Sequence, residues 1–276
     1  MKEKILEVKH LSFSYDGKKQ ALDDVSVSIY PGERIAVLGA NGAGKSTFFL
    51  HLNGVRQGSA GTILLDGEAI ESKKQRKKLQ QNVGIVFQDA DSQLIASTVK
   101  AEVAFGPMNM GISKEEVEES TMDAIAQMKL LDYVDRPPHY LSGGEKKRVG
   151  IADILAMKPR IIVFDEPTAA LDPASAQMLE DTLSLLEQEG KTILLSTHDV
   201  DFAYRFAERV LVFYNGTILA DDTPERVFQN EELLEKTNLK KPVMLQVYEL
   251  LQKKGIVAGQ IIPKNVEELS AVLSSG

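Results

Sequence analysis

The chain has 276 residues, 43% hydrophobic and 26% charged, which is a globular composition with room for one large domain or two lobes. Its 32 Lys and Arg against 40 Asp and Glu give a formal charge of −8, which argues against broad binding to a phosphate backbone, so nucleic acid is not an expected partner. The absence of cysteine removes disulfides and thiolate metal sites, and no stretch approaches the about 20 apolar residues that cross a bilayer, so any membrane role needs another chain to do the spanning.

The N-terminal Met1-Lys-Glu-Lys-Ile-Leu6 lacks an apolar core of signal-peptide length. Leu11, Phe13 and Tyr15 then alternate with Ser12 and Ser14, and Val25, Val27 and Ile29 with Ser26 and Ser28, predicting strands buried on one face. After Pro31-Gly32 the pattern becomes continuous: Ile35–Leu38, Val83–Phe87, Ile161–Phe164 and Ile193–Leu195 suit strands buried on both faces of a largely parallel sheet. The run Lys73, Lys74, Arg76, Lys77, Lys78 reads as a solvated helix surface after the turn at Asp66-Gly67. From roughly 89 to 157 the character is helical, with a capping box at Ser113 and Glu116 followed by Val117, Thr121, Ala124, Ile125 and Met128 at helical spacing. The expected fold is therefore α/β, a largely parallel sheet with a helical lobe inserted into it.

Three tracts carry chemistry. Gly39-Ala40-Asn41-Gly42-Ala43-Gly44-Lys45-Ser46 fits the phosphate-binding loop, lying between the strand Ile35–Leu38 and the apolar start of a helix, Thr47-Phe-Phe-Leu50. Its backbone N–H groups and Lys45 would hold ATP phosphates while Ser46 offers a hydroxyl to Mg²⁺. Arg160-Ile-Ile-Val-Phe-Asp165 delivers a carboxylate at a strand end. Alone, an Asp-Glu pair there is a solvated loop or a cap; behind a phosphate loop, Asp165 is expected to hold the Mg²⁺ shell and Glu166 to polarise the attacking water. Finally, Leu141-Ser142-Gly143-Gly144-Glu145 is a capping box whose two glycines, poor choices for a first helical turn, leave N–H groups bare for an anion.

The three together resemble the nucleotide-binding subunits of ATP-binding cassette (ABC) transporters, from Leu6 to about Phe228, which implies an α/β P-loop NTPase core with an antiparallel β subdomain, an inserted α-helical lobe and a small C-terminal extension. The resemblance implies that Tyr15 stacks on adenine, that Gln88 meets Mg²⁺ and senses a membrane partner, that Ala170-Leu171-Asp172 touches an opposite subunit, and that His198 is a switch on the γ-phosphate. It implies too that Ser142, Gly143, Gly144 and Glu145 act in trans, on ATP held by a second ATPase subunit, in a homodimer or a heterodimer. Many family members carry Gln where this chain has Glu145. A finer resemblance, in Val86–Leu94 and Glu102–Gly111, is to ATPases of energy-coupling-factor and cobalt importers. It implies ATP and Mg²⁺ as cofactors, a transmembrane coupling protein and a substrate-binding membrane subunit as partners, and a position on the cytoplasmic face of the cell membrane. Cobalt is the leading cargo, with nickel or a vitamin as alternatives.

Residues 1–228 are expected to form the ATPase domain and 229–276 a helical extension. Pro242 starts a helix there whose Val243, Val247, Leu250 and Leu251 share one face, and Asn265 with Glu268 caps a second one bearing Leu269, Val272 and Leu273. These faces pack either on the chain's own core or, as the importer resemblance implies, in a dimer. Two rival classes share the head chemistry. A chromosome-maintenance ATPase needs a long coiled coil between the phosphate loop and the signature tract, and the 96 positions from Ser46 to Ser142 leave no room for it. A soluble translation-linked ABC protein usually carries two cassettes in one chain, and one is present here.

Overall fold

Alternation in the first thirty residues yields β1 (Leu6–Ser14) and β2 (Gln20–Ile29), an antiparallel pair with Leu6 opposite Ile29 and Val8 opposite Val27. The computed structural model describes residues 3–89, 93–168, 171–257 and 262–274. Within them β4 (Ala60–Leu65) and β5 (Glu68–Ala69) complete a four-stranded antiparallel sheet in the order β2-β1-β4-β5. The second sheet holds β3 (Arg34–Leu38), β6 (Val83–Val86), β7 (Ile161–Phe164), β8 (Thr192–Ser196), β9 (Arg209–Tyr214) and β10 (Thr217–Asp222), in the order β10-β9-β3-β8-β7-β6. Its strands run parallel except β10, which returns antiparallel along β9.

The continuous apolar runs are explained by where alternate residues go. Ile161 and Val163 point into the core shared with the antiparallel sheet and α1 (Lys45–Leu52), whereas Ile162 and Phe164 point into the core beneath the helical lobe. In β3, Ile35 and Val37 face the first core, while Ala36 and Leu38 face a third one at the opposite end of the sheet. A buried Val, Leu, Ile or Phe contributes about 1.5–3 kcal/mol, more than the ~1 kcal/mol of a helix cap, so these strands fix the frame and the caps only trim it.

The basic run forms one side of α2 (Lys73–Asn82), which Ser72 and Gln75 cap and which buries Leu79; Lys78 pairs with Glu68 at 3.0 Å. The lobe consists of α3 (Val99–Met110), α4 (Lys114–Gln127) and α5 (Gly143–Ala156) packed on one another. The Ser113–Glu116 capping box is present, and Thr121, Ala124, Ile125 and Met128 are buried. Beyond β7, α6 (Pro173–Gln188) and α7 (Val200–Phe206) add Leu179, Leu183, Leu186 and Phe202 to the core that the sheet shares with the lobe.

After β10, α8 (Pro224–Gln229), α9 (Glu231–Thr237) and α10 (Val243–Lys253) lie against the third core, where Phe228, Leu233, Leu234 and Leu245 join Ala36 and Leu38. Of the two placements open for the α10 stripe, packing on the chain's own core is not the one found. The face bearing Val243, Val247 and Leu250 does not pack on this chain: all three are exposed and Leu251 is half-buried, while Leu245 and Tyr248 on the other side are buried. Asp201 accepts from the Val243 N–H at 2.6 Å and Glu249 holds Lys241 at 2.9 Å, setting the helix rotation, and the large Tyr248 ring supplies the buried area. In α11 (Val266–Ser274) the predicted cap forms, with Asn265 accepting from Glu268 N at 2.8 Å, but no residue is fully buried. Among the described residues, no helix is long and apolar enough to cross a membrane.

Candidate functional site

The C-terminal ends of β3, β6, β7 and β8 all open on the same edge of the parallel sheet, and there the loops converge on a cleft of about 400 Å³. The phosphate loop begins at Gly39 (φ 140°) and ends at Gly44 (φ 111°), both in the region that favours glycine. A Cβ at Gly39 would lie 2.3 Å from the Phe213 carbonyl oxygen, and one at Gly44 2.6 Å from that of Ala21, so space as well as conformation demands glycine. Gly44 caps α1 without a side chain, and the first turn holds no acid, so the helix N-terminus is left for an anion. Lys45 is 6% exposed; its Nζ donates to the Gly39 oxygen at 2.6 Å and to Ala40 at 3.3 Å, which holds it in the loop that phosphates would occupy. Burial pulls its pKa down, and the charges of Glu166 and Asp165 push back.

Ala40, Asn41, Gly42, Ser46 and Thr47 line this cleft beside Lys45, while Gly39 and Ala43 shape the loop behind it. Gln88, Asp165 and Glu166 form the facing wall. Asp165 is buried and accepts from Ser196 Oγ at 2.6 Å, and the same Ser196 Oγ accepts from Glu166 N at 2.8 Å, so one hydroxyl at the end of β8 holds both acids. Glu166 has φ 46°, a strained value for a residue with a side chain, and turns its carboxylate 3.8 Å from Lys45 Nζ and 3.3 Å from His198 Nε2. The imidazole's Nε2 bond goes to Asn41 Oδ1 at 2.8 Å, which leaves Glu166 Oε1 without a hydrogen-bond partner. Burial raises the Glu166 pKa against the lowering fields of His198 and Lys45, a bias toward accepting a proton. Tyr15 sits at the cleft's other end, 58% exposed; Phe13 braces it edge-on at 4.9 Å and the Arg56 guanidinium lies 5.5 Å from its ring centre.

The signature tract is elsewhere. None of Ser142, Gly143, Gly144 and Glu145 lines the cleft that holds Lys45. Glu145 folds back: its Oε2 accepts from Ser142 N at 2.7 Å and Ser142 Oγ at 2.8 Å, closing the capping box. That backbone bond, with the Tyr133 hydroxyl next, keeps the carboxyl below its ordinary range, so the charge is present but committed to its own helix. The two glycines differ in the room beside their Cα atoms. At Gly143 nothing lies within 4 Å of where a Cβ would be, whereas at Gly144 Ser175 Oγ lies 2.3 Å away. Asp172 caps α6 through Ala174 N and Ser175 N, both at 3.0 Å, and holds that Ser175 hydroxyl at 2.7 Å over Gly144. Ala170 lies outside the described residues, as do positions 90–92 of the Val86–Leu94 tract.

A family model described as ABC transporter matches residues 22–169. A putative ABC transporter ATP-binding protein of Methanosarcina acetivorans is 49% identical over 254 residues, spanning 91% of this chain and 78% of the relative. The chain belongs to the ABC transporter ATPase family. The energy-coupling factor transporter ATP-binding protein EcfA of Methanothermobacter thermautotrophicus is 46% identical over 252 residues, covering 91% of this chain and 81% of that one. Among solved structures, cbiO1 from Clostridium perfringens, described as part of the ABC transporter complex cbiONQ, aligns with a TM-score of 0.75 at 36% identity over 91% of this chain and 100% of its own. A dimeric ATP-binding cassette in a post-hydrolysis state bound to ADP and Pi aligns with a TM-score of 0.71 at 28% identity over 79% and 98%.

In this ABC ATPase, Ser46, Gln88 and Asp165 present a hydroxyl, an amide and a carboxylate to one cleft, hard oxygen donors that fit Mg²⁺. Ser196 and the Asn41–His198 bond escaped the sequence reading. Ser196 is the last residue of β8 and sits two before His198, but a serine at a strand end carries no signal of its own. If Glu145 acts through its cap, Glu145→Gln, which keeps an N3 acceptor, leaves the chemical-unfolding midpoint unchanged, and Glu145→Ala lowers stability by about 1 kcal/mol.

Proposed function

We propose that this chain is the ATP-hydrolysing subunit of an importer of the energy-coupling-factor type, in which two copies of the cassette, or this one and a paralogue, sandwich two ATP molecules. The observation that carries the reading is that Lys45 lines the cleft while Ser142 caps a helix of the lobe and lines no part of it; in this reading each is a half-site that a second chain completes.

In this mechanism Tyr15 stacks on the adenine, Gly39 to Thr47 wrap the phosphates, and Lys45 leaves its two loop carbonyls for phosphate oxygens. Ser46, Gln88 and Asp165 would hold Mg²⁺, which neutralises charge developing on the phosphates. Glu166 takes a proton from the attacking water, and His198, tied to Asn41, meets the γ-phosphate. Ser142 and the N–H groups of Gly143 and Gly144 reach that phosphate from the partner, while the Glu145 carboxylate stays folded into its cap at the same helix N-terminus. Asp172 and Leu171 face the opposite subunit. ATP draws the two surfaces together and hydrolysis removes the bridging phosphate, so closure lasts only as long as the differential contact does. Residues 1–228 act as the ATPase unit; the uncovered Val243, Val247 and Leu250 of the 229–276 extension suit a role in holding the dimer.

The relatives named EcfA and the cbiO1 structure support the importer type, with a transmembrane coupling protein and a substrate-binding membrane subunit as partners at the cytoplasmic face of the cell membrane. Cobalt is the cargo we favour, on the cbiONQ likeness together with the Val86–Leu94 and Glu102–Gly111 tracts.

Three outcomes are expected. Glu166→Gln binds ATP normally, turns over roughly a hundredfold more slowly and accumulates as a closed dimer on a sizing column; near-normal turnover removes Glu166 from its role. In mixed dimers, Ser142→Arg on one subunit abolishes hydrolysis at the other subunit's intact Lys45 site, and loss confined to its own chain's site overturns the composite site. Isolated from its native cell at endogenous level, the chain brings down membrane-spanning partners; recovery with ribosomes and without membrane subunits overturns the importer assignment.

A further inference from the structure

Lys147 lies in the second turn of α5, two residues beyond the signature tract, and is only 6% exposed. A buried ammonium is costly unless its protons are used. Here Nζ donates to the Phe87 carbonyl at 2.7 Å and to the Gln88 carbonyl at 3.2 Å, sixty and fifty-nine positions away in sequence. Nothing in the mechanism above uses this residue.

Its acceptors lie at a junction. Val86 is the last residue of β6 and is fixed in the sheet opposite Phe164 of β7, and Asp165 N donates to the Val86 oxygen at 2.9 Å. One residue on, the chain's attachments change owner. Phe87 and Gln88 are held by Lys147, Gln93 donates to the Gly150 carbonyl of α5 at 3.2 Å, and Glu102 of α3 accepts from Ile95 N at 2.8 Å and Ala96 N at 2.5 Å. Up to Val86 the segment belongs to the core; from Phe87 it belongs to the lobe. Gln88, whose side chain lines the nucleotide cleft, is therefore positioned from the lobe side.

We propose that Lys147 is a positioning residue that locks Gln88 to the signature helix, so that engagement of Ser142 and Gly143 by one ATP sets the position of Gln88 at the chain's own ATP. The hinge this implies is the Val86–Phe87 linkage. The proposal rests on the two-half-site reading above and assigns to one side chain the direct bonds to the Phe87 and Gln88 carbonyls, beside the second tie that Gln93 makes by accepting from Phe87 N at 3.4 Å and donating to the Gly150 carbonyl.

The test uses the full chain carrying Glu166→Gln, which holds the closed state, and compares it with Glu166→Gln/Lys147→Met, nearly the same volume without donors or charge, and Glu166→Gln/Lys147→Gln, whose amide donates but reaches less far. Amide hydrogen exchange is followed with and without ATP over 142–148 and 85–89, alongside nucleotide affinity measured in EDTA, which reports an intact phosphate loop. In the parent, ATP protects both segments. With Lys147→Met, protection of 142–148 persists while that of 87–89 falls by about tenfold, and with Lys147→Gln it falls by less. In the Glu166 background, Lys147→Met lowers kcat by roughly tenfold to a hundredfold with ATP affinity in EDTA within about twofold. Equal protection of 87–89 in the parent and in whichever variant folds overturns the proposal. Absence of ATP-dependent protection of 142–148 in the parent itself overturns instead the two-half-site reading on which it stands.

Discussion

Burial of the parallel strands on both faces is the constraint on which the rest of this ATPase depends. Because alternate residues of β3, β7 and β8 enter different cores, no strand can slip by one position without exchanging its two buried faces, and the strand ends are therefore fixed to within a residue. Four of those ends open on one edge and carry most of the site: the phosphate loop after β3, Gln88 after β6, Asp165 and Glu166 after β7, and Ser196 to His198 at and just beyond β8, while Tyr15 reaches the cleft from the turn between β1 and β2. Chemistry that needs sub-ångström placement is thus hung from the least movable part of the molecule. The strain at Glu166, with its left-handed backbone and unpartnered Oε1, is tolerated because Ser196 and the sheet hold the peptide from both sides.

The helical lobe obeys a different logic. Its own core of α3, α4 and α5 is continuous with one face of the sheet, but the chain crosses between the two at few points, and at the Val86–Phe87 crossing the hydrogen bonds change from strand partners to lobe side chains. A rigid sheet beside a lobe with its own attachments is the arrangement a nucleotide-driven clamp requires, since ATP can do work only on parts that have two positions.

Much of this was legible from residues. The phosphate loop, the Asp165-Glu166 pair, the capping boxes at Ser113 and Ser142, and the doubly buried strands each have a local physical signature, a required φ, a terminal donor to satisfy or a two-residue period, and each lies where its pattern put it. What was misread or missed has no such signature. The apolar stripe of α10 was visible, but which side of the helix faces the core was decided by Asp201, Glu249 and the Tyr248 ring. That Ser175 of α6 lies where a Cβ at Gly144 would be has no signal in the tract itself. β9 and β10 close the sheet at an end the four apolar runs did not mark.

The sequence by itself determined the alphabet of the site: glycines where the backbone must turn left-handed, Lys45 and Ser46 at the start of a helix, acids at a strand end, and a capped helix whose purpose local structure does not exhaust. These are local requirements, and neighbouring residues suffice to express them. Only the tertiary structure decided that Ser196 holds both acids, that Asn41 claims His198, and that Lys147 reaches the Phe87 and Gln88 carbonyls sixty and fifty-nine positions away. Those pairings join side chains far apart in sequence, and which donor meets which carbonyl is settled by how elements pack and not by any pattern within them.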